Sequence, residues 1–390
     1  MNSPPPPSPP EPGRLGPELI SAGDESLLSL GRRAVLLSRT PRRPAPGTAW
    51  VRATVEAVQR SVRGGEALVT GLGRAPYEVA LAACRRAQGA AVVVLEQAPE
   101  AEFDKLYGDL LPARRLLVWP VQPLPPGPSF RPDSLTRRDR TIGALSDRAW
   151  AIYVRPDGHM AERADALRAR GCPVEDCGAG TAMTEAEEAV GPSETLRAPV
   201  LGPWKFVAHY TREPDGPWPD ESIGAYADWL AHGPLDGRRD ALDALRRILA
   251  QRSILGSGRL MPFREKMVSF TARSPADLAS LMQWRRGLHR WTFRPYGIAV
   301  EQQALFALGA RPVEYLTEQE LRRLPPRERL FAQRHAPPAT DWSAEAEWRL
   351  RGALRLDALP PASVKVLVPS KAEAEALESQ FGWEVWTIAE

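Results

Sequence analysis

Between residues 30 and 178, short apolar runs alternate with amphipathic stretches, which predicts strands and helices in turn. Residues 34–38 and 91–95 are apolar and partly β-branched, as expected of strands that are covered on both faces. Residues 50–63 place valines at spacings of four, three and four, which indicates one apolar helix face. Because strand and helix alternate at least five times, the pattern predicts an α/β fold with a doubly wound, mostly parallel sheet.

A glycine turn in residues 66–96 is expected at the carboxyl end of a strand. Gly71 and Gly73 lie between the apolar residues 67–70 and an amphipathic helix. Glycine lets backbone N–H groups come close to a ligand, and α/β folds bind phosphates at such strand-to-helix turns. The same glycines also suit an ordinary tight turn, so the motif alone leaves both interpretations open.

The pattern changes near residue 203, and the second half predicts an α+β domain over residues 204–390. Thr317 and Glu320 have the spacing of a helix capping box. Residues 341–356 fit a helix or a strand, whereas the end of the chain predicts a βαβ unit. Between the halves, residues 179–203 are polar and lack sustained periodicity, so we expect a linker there.

Composition adds limits on class and compartment. The proline-rich residues 1–17 predict a disordered tail. No apolar run approaches ~18 residues, and three cysteines offer no disulfide framework, so we expect a soluble, cytoplasmic protein with no membrane partner. The net charge of +3 is too small to indicate nucleic acid by itself. Five scattered histidines give no metal-ligand spacing, so no metal is expected.

Three motifs of the first half resemble the DNA-processing protein A family, which belongs to the SLOG superfamily of nucleotide-binding Rossmann-like domains. The motifs are Ser38-Arg39 after the first strand, TGLGRAPYE at the glycine turn and RRDRTIGALSD at residues 137–147. The chain departs from the family at Asp139, where the family has asparagine. The PGGxGTxxE signature of the related LOG phosphoribohydrolases is absent, so that activity is not expected.

The resemblance implies a nucleotide or another small phosphorylated ligand at the carboxyl edge of the sheet. Guanidinium groups gathered beside glycine amides would hold phosphate oxygens through charge-assisted hydrogen bonds. The alternative is a set of solvated arginines in an arginine-rich sequence. The candidate residues are Ser38, Arg39, Gly71, Gly73, Arg74, Arg138 and Arg140.

A second resemblance concerns the C-terminal half. The segments HYT at 209–211, VSFT at 268–271, PYGIAV at 295–300 and EAEWRL at 345–350 resemble bacterial abortive-infection proteins. Their pattern is similar to that of DarT-type ADP-ribosyltransferases. This resemblance implies NAD as a cofactor and a role in phage defence.

The same resemblance assigns roles to individual residues. His209 would hold the NAD ribose, and Tyr210 would stack on the nicotinamide. Thr271 would lie on the central strand of the cleft, and Glu347 would be the catalytic carboxylate. Glu345 is the same-face alternative if this segment is a strand, because side chains alternate along a strand. A structural histidine at a strand end, or a surface ion pair of Glu347 with a nearby arginine, are the simpler alternatives.

Two functional hypotheses follow. In the first, the SLOG-like domain senses a nucleotide-derived ligand, and the C-terminal domain is an NAD-using effector. In the second, the chain is a non-enzymatic, single-stranded nucleic-acid-binding protein; both hypotheses leave homo-oligomerisation open. Convergence of His209, Thr271 and Glu347 in one cleft would favour the enzyme, and a continuous arginine surface would favour the binder.

Overall fold

The structure, a computed structural model, forms two compact units. It describes residues 22–388 except 39–43, 96–115, 121–131, 157, 178–202, 236, 238, 259–260, 279–280, 283, 286–289 and 338–340. Unit 1 comprises residues 1–186 and 221–238, and unit 2 comprises residues 187–220 and 239–390. The predicted tail at 1–17, almost all of the predicted linker at 179–203, and Arg39 lie outside the described residues.

Unit 1 is built on a seven-stranded sheet of order β1-β5-β4-β3-β2-β6-β7. All neighbouring strands are parallel except β1, which pairs antiparallel with β5. The strands are β1 Ala22–Gly23, β2 Arg32–Leu37, β3 Ala67–Gly71, β4 Ala91–Leu95, β5 Leu116–Pro120, β6 Arg148–Tyr153 and β7 Val174–Asp176. The helices are α1 Ala49–Arg63, α2 Ala75–Arg86, α3 Pro132–Leu145, α4 His159–Ala169 and α5 Ile223–His232.

Helices cover both faces of this sheet, which explains why its inner strands are apolar throughout. On one face, buried residues of α1, α2 and α5 pack in a single cluster with the sheet. On the other, α3 and α4 contribute Ile142, Leu145, Ala164 and Leu167 to a second cluster. All five residues of β3 and of β4 are buried, as expected of strands covered on both sides. The doubly wound parallel sheet is therefore confirmed.

The strand order reverses beside β2. From β2 the chain moves outward through β3 and β4 to β5, and it then returns to place β6 on the opposite side of β2. The helices that follow β2 and β6 lie on opposite faces, because α1 belongs to one apolar cluster and α4 to the other. Open α/β sheets bind ligands in the crevice that such a reversal leaves at the carboxyl ends of the strands.

Unit 2 contains a second seven-stranded sheet, of order β14-β17-β10-β8-β13-β19-β20. Its pairs are antiparallel except β19 with β20. The sheet strands are β8 Phe206–Tyr210, β10 Met267–Thr271, β13 Gly297–Glu301, β14 Arg311–Pro312, β17 Glu347–Arg351, β19 Val364–Val368 and β20 Val385–Thr387. Short pairs are formed by β9 Ser253–Ile254 with β18 Leu354–Arg355, β11 Trp284–Arg285 with β12 Arg290–Trp291, and β15 Glu314–Leu316 with β16 Ala332–Arg334.

The helices of unit 2 include the two that cover one face of its sheet. They are α6 Ala241–Gln251, α7 Pro275–Leu278, α8 Gln302–Ala307, α9 Glu318–Arg323 and α10 Lys371–Phe381. Buried residues of α6 and α10 pack on that face, whereas Phe206, Ala208 and Tyr210 lie in a cluster on the other. The capping box of Thr317 and Glu320 begins α9 as expected. The separate α+β domain is confirmed.

The structure settles one detail that the sequence left open and corrects another. Residues 347–351 of the ambiguous segment 341–356 form a strand, because β17 completes hydrogen bonding with β10. Residues 221–238, which the sequence placed in the C-terminal domain, belong to unit 1. Tyr226 and Leu230 of α5 are buried in the cluster that α1 and α2 form with the sheet. Among the described residues, no helix is long and apolar enough to cross a membrane.

The packing of α5 can be tested with a matched pair of leucines. Leu230 is 1% exposed and Leu235 is 73% exposed. Truncating Leu230 leaves a cavity, so Leu230→Ala should lower the free energy of unfolding by about 3 kcal/mol. Leu235→Ala should change it by less than about 0.5 kcal/mol.

Urea denaturation measures the free energy, and amide hydrogen exchange locates the effect. The Leu230→Ala variant should lose protection in α1 and α2. Loss of protection in unit 2 alone would contradict the assignment of α5 to unit 1.

Candidate functional site

Ser38 joins the ends of the two strands that flank the reversal in unit 1. It follows β2 directly and is 8% exposed. Its backbone N–H donates to the carbonyl oxygen of Tyr153 at the end of β6, at 2.8 Å. Its Oγ accepts a hydrogen bond from the backbone N–H of Arg155 at 3.0 Å. Ser38 therefore fixes the floor of the crevice.

Gly71 makes room for a buried arginine. A Cβ atom at Gly71 would lie 2.8 Å from Cδ of Arg138, which reaches across the end of β3 from α3. Arg138 is 6% exposed, and its Nη1 donates to the carbonyl oxygen of Leu72 at 2.7 Å. Its guanidinium lies 4.8 Å from the centre of the Tyr77 ring. Gly71 is thus required by side-chain packing, whatever ligand the site holds.

The turn amide expected to meet a phosphate already has a partner. Gly73 has φ +81°, a conformation that favours glycine. Its N–H donates to Oε1 of Glu78 at 2.8 Å, and Glu78 is 1% exposed. The hydrogen-bond capacity of the Gly73 N–H is therefore already used by a buried carboxylate of α2. This contact favours the tight-turn interpretation of the glycine motif over the phosphate-loop interpretation.

Tyr77 and Asp139 form a hydrogen bond at the centre of the site. The Tyr77 hydroxyl donates to Oδ1 of Asp139. Burial, and then the adjacent carboxylate, raise the pKa of Tyr77, so the phenol stays protonated at neutral pH. Oδ1 of Asp139 also lies 3.8 Å from Nε of Arg138. Asp139 is therefore an internal anion among the arginines.

Four arginines from three elements surround this pair, and we call them the arginine cluster. Arg74 precedes α2, Arg138 and Arg140 lie on α3, and Arg163 lies on α4. Arg74 and Arg138 act electrostatically on Tyr77, while Arg140 and Asp139 act on Arg163. Burial, and then the neighbouring Arg140, lower the pKa of Arg163.

The positive charge of the arginine cluster exceeds the nearby negative charge. In the part of the chain that the structure describes, Arg74, Arg140 and Arg163 form no ion pair within 4 Å. Nε and Nη2 of Arg138 and Nε of Arg163 are buried without a hydrogen-bond partner. Buried donors that lack a partner destabilise the protein unless something satisfies them. Arg138 and Arg163 therefore keep unsatisfied donors beside the exposed Arg74 and Arg140.

The structure brings most of the predicted ligand-binding residues together and adds one. Ser38, Gly71, Gly73, Arg74, Arg138 and Arg140 all lie near the carboxyl ends of β2, β3 and β6. Arg163 was missed by the sequence analysis. The signal that could have identified it is its position early in the helix that follows β6, on the side of the reversal opposite to α1.

In unit 2, His209 and Tyr210 point to opposite faces of the sheet. Along β8, Val207 packs with the cluster under α6 and α10, whereas Ala208 and Tyr210 belong to the other cluster. His209 lies opposite Ile298 and 5.9 Å from the Phe270 ring, which places it on the α6 face. Its Nδ1 lies 2.8 Å from the carbonyl oxygen of Ser269 and must therefore carry the proton. Burial lowers the pKa of His209.

Tyr210 and Thr271 lie on the opposite face from His209. The Tyr210 ring is 8% exposed, and burial raises the pKa of its hydroxyl. Thr271 pairs with Ala208 on β8 and with Glu347 on β17. Its Oγ1 donates to the carbonyl oxygen of Glu345 at 2.5 Å, so it anchors the turn before β17. Thr271 and Glu347 are neighbours, but His209 does not join them.

Glu347 is held by Arg349 on its own strand. Nε and Nη2 of Arg349 donate to the two carboxylate oxygens at 2.9 and 2.8 Å. Arg349 also donates to carbonyl oxygens of Leu330 and Ala332 and to Gln333 Oε1. With side chains 8% and 12% exposed, Arg349 and Glu347 form a buried pair, and the surface ion pair considered from the sequence is corrected. Glu345 lies in a turn before the strand, so it is not a same-face partner.

Comparisons with known proteins identify structural neighbours of this chain, two of which are DNA processing proteins. No protein-family model and no curated protein matches the chain. DNA processing protein A (DprA) of Streptococcus pneumoniae is 18% identical with a TM-score of 0.32, over 40% of this chain and 54% of that protein. DprA of Helicobacter pylori, described with a single-stranded DNA binding mode, is 19% identical with a TM-score of 0.31, over 42% and 73%.

The neighbours are DprA proteins, the family that the N-terminal motifs resemble, but the similarity is distant. This chain spans about half the length of the S. pneumoniae protein, 54% of it. At a TM-score of 0.32 or 0.31 the similarity carries no inference about a ligand. Neither neighbour bears on the ADP-ribosyltransferase resemblance of the C-terminal half.

The role of Glu347 can be tested through stability. Removing one partner of a buried ion pair leaves an uncompensated charge, so Glu347→Ala should lower the free energy of unfolding by about 3 kcal/mol. Glu265 is the matched control, because it also forms a two-contact pair, with Arg351, but the side chains are 36% and 56% exposed. Glu265→Ala should cost less than about 1 kcal/mol.

Urea denaturation of both variants tests the structural role of the Glu347 carboxylate. Equal stability of Glu347→Ala and the wild type would contradict the structural role. A large loss of stability would mean that loss of an activity in this variant does not identify Glu347 as catalytic.

Proposed function

We propose that unit 1 binds the phosphate groups of a nucleotide or of single-stranded nucleic acid at the carboxyl edge of its sheet. The observation that carries this proposal is the unpaired charge of Arg74, Arg140 and Arg163 beside the strand-order reversal. Guanidinium groups match phosphate oxygens in geometry and charge. The SLOG-like motifs at Ser38 and at residues 137–147 support the same ligand class.

The arginines of the cluster differ in their exposure, and therefore in whether a ligand can contact them. Arg74 and Arg140 are exposed, so they are available to a ligand from solvent. Arg163 is partly buried, and an anion would offset the repulsion from Arg140 that lowers the pKa of Arg163. Arg138 is buried beneath Tyr77 and Leu72, so it adds positive potential and shapes the floor. Binding would therefore depend on Arg74, Arg140 and Arg163 more than on Arg138.

An NAD-using activity of unit 2, and with it a role in phage defence, stays a prediction from the sequence resemblance. His209 lies on the α6 face of the sheet, whereas Thr271 and Glu347 lie on the other face. The three assigned residues therefore share no cleft. The pairing of Glu347 with Arg349 gives that carboxylate a structural role. Our proposal is therefore limited to unit 1.

The first test removes charge from the cluster. Arg140→Gln and Arg163→Gln should each weaken phosphate binding about tenfold, because each removes a charge-assisted contact. Fluorescence anisotropy with labelled oligothymidylate, and calorimetry with nucleoside monophosphates, distinguish the two sources of phosphate. For the oligonucleotide, each substitution should also reduce the slope of log K against log salt by about 0.7.

Arg168→Gln is the matched control on the same helix as Arg163. Arg168 is exposed and already paired with Asp165 at 2.9 Å, so its loss should leave binding unchanged. Equal losses in Arg168→Gln and Arg163→Gln would indicate a general charge effect and contradict the site. Absence of binding by both ligand types would refute the proposal.

A second test concerns Asp139, whose carboxylate competes with a phosphate for the arginines. Asp139→Asn keeps an acceptor for the Tyr77 hydroxyl and removes the negative charge. Affinity for phosphate-bearing ligands should rise about threefold to tenfold, since a like charge near the site is removed. The control is Asp165→Asn, an exposed carboxylate on α4, which should change affinity little. Weaker binding by Asp139→Asn would contradict the competition.

A further inference from the structure

A polar groove lies in unit 1 between α2 and α5, and none of its lining residues belongs to the carboxyl-edge site. The cavity is an open groove of about 460 Å³, within the range of small-molecule sites. It lies where the last turn of α2 meets the end of α5. We call it the α2–α5 groove, and its lining residues are Arg85, Arg86, Asp228, Trp229, His232 and Gly233.

The α2–α5 groove carries a net positive charge. Arg85 forms an ion pair with Asp228, which neutralises that guanidinium. Arg86 is exposed, and within the described residues it forms no ion pair. One cation therefore remains without a partner. A ligand with a single carboxylate or phosphate group would complement it.

His232 has one ring nitrogen that forms no hydrogen bond with the described residues. Its Nε2 is buried without a hydrogen bond, and its Nδ1 lies 4.0 Å from Oδ1 of Asp228. Burial, then Arg86 and Arg85, lower the pKa of His232. The imidazole is therefore mainly neutral at pH 7 in the free protein. A bound anion would offset the two arginines and raise the pKa of His232.

The aromatic side chain of Trp229 lines one side of the groove. Its ring stacks on the buried Tyr226 with ring centres 5.8 Å apart and planes 25° from parallel. A Cβ atom at Gly233 would lie 2.4 Å from the Trp229 carbonyl oxygen and 3.1 Å from Cδ1 of its ring. Glycine at this position lets the chain pass close to the indole. An aromatic ring of a ligand would find a fixed stacking surface there.

We propose that the α2–α5 groove binds a small aromatic anion, a carboxylate or a phosphate monoester, with its ring against Trp229 and its charge at Arg86. His232 lines the same groove, so its pKa would respond to the charge of the ligand. The site differs from the carboxyl-edge site in its residues and in its need for an aromatic ring. Either site can therefore fail in experiment without the other.

The experiment uses the full chain with benzoate and phenyl phosphate as probes. Inorganic phosphate lacks the ring and benzyl alcohol lacks the charge, so shifting the His232 resonance should require at least about tenfold more of either compound than of phenyl phosphate. Calorimetry measures affinity, and proton NMR follows the imidazole of His232, assigned with His232→Gln. The chain has five histidines, which makes this assignment practicable. Saturating probe should raise the pKa of His232 and leave the other histidines unchanged.

Substitutions then locate the binding. Arg86→Gln should weaken both probes about tenfold or more. Arg52→Gln, an exposed arginine on α1 with no ion pair in the described residues, should leave their affinity unchanged. Binding that is insensitive to both Arg86→Gln and His232→Gln would place the probes elsewhere and overturn the proposal. A dissociation constant of about 10 mM is the weakest that we expect for so small a ligand. Failure of both probes to bind at this concentration would also overturn the proposal.

Discussion

The burial of the Arg138 guanidinium shapes the candidate site of unit 1. A cation removed from water needs hydrogen bonds and nearby negative charge to offset the loss of hydration. Gly71 gives it space, the Leu72 carbonyl accepts one N–H, and the Tyr77 ring lies over it. Asp139 adds the only carboxylate within 4 Å of it among the described residues. The glycine turn, the start of α2 and the middle of α3 are thus arranged around one side chain.

A second buried arginine of the same chain, Arg349, has hydrogen-bond partners for all of its guanidinium nitrogens. Arg349 in unit 2 makes two bonds to Glu347, two to backbone carbonyls and one to Gln333. Within the described residues, the Arg138 side chain makes one hydrogen bond, and two of its nitrogens lack a partner. The contrast separates their roles. Arg349 fixes β17 to its neighbours, whereas Arg138 keeps donor capacity and positive potential at an edge where α/β sheets bind ligands.

The sequence predicted the features of unit 1 that depend on local pattern and chain order. Buried apolar strands, amphipathic helices and the cluster of Arg74, Arg138 and Arg140 follow from periodicity and from the resemblance of the motifs. Contacts across the fold could not be predicted in this way. The capture of the Gly73 amide by Glu78 depends on a side-chain rotamer in the first turn of α2. The contribution of Arg163 depends on which helices border the strand-order reversal.

In unit 2, the alternation of side chains along a strand argues against the catalytic assignment of both His209 and Tyr210 to one cleft. His209 and Tyr210 are adjacent on a strand, so their side chains must point to opposite faces, and they cannot both line one cleft. Thr271 lies opposite Ala208 in the antiparallel register, which places it with Tyr210 and excludes His209. A match to a short motif identifies the residue types, but it does not show to which face of the sheet each side chain points. A catalytic assignment on strands therefore needs the register of at least two neighbouring strands, and here the register separates the residues that the motifs had grouped.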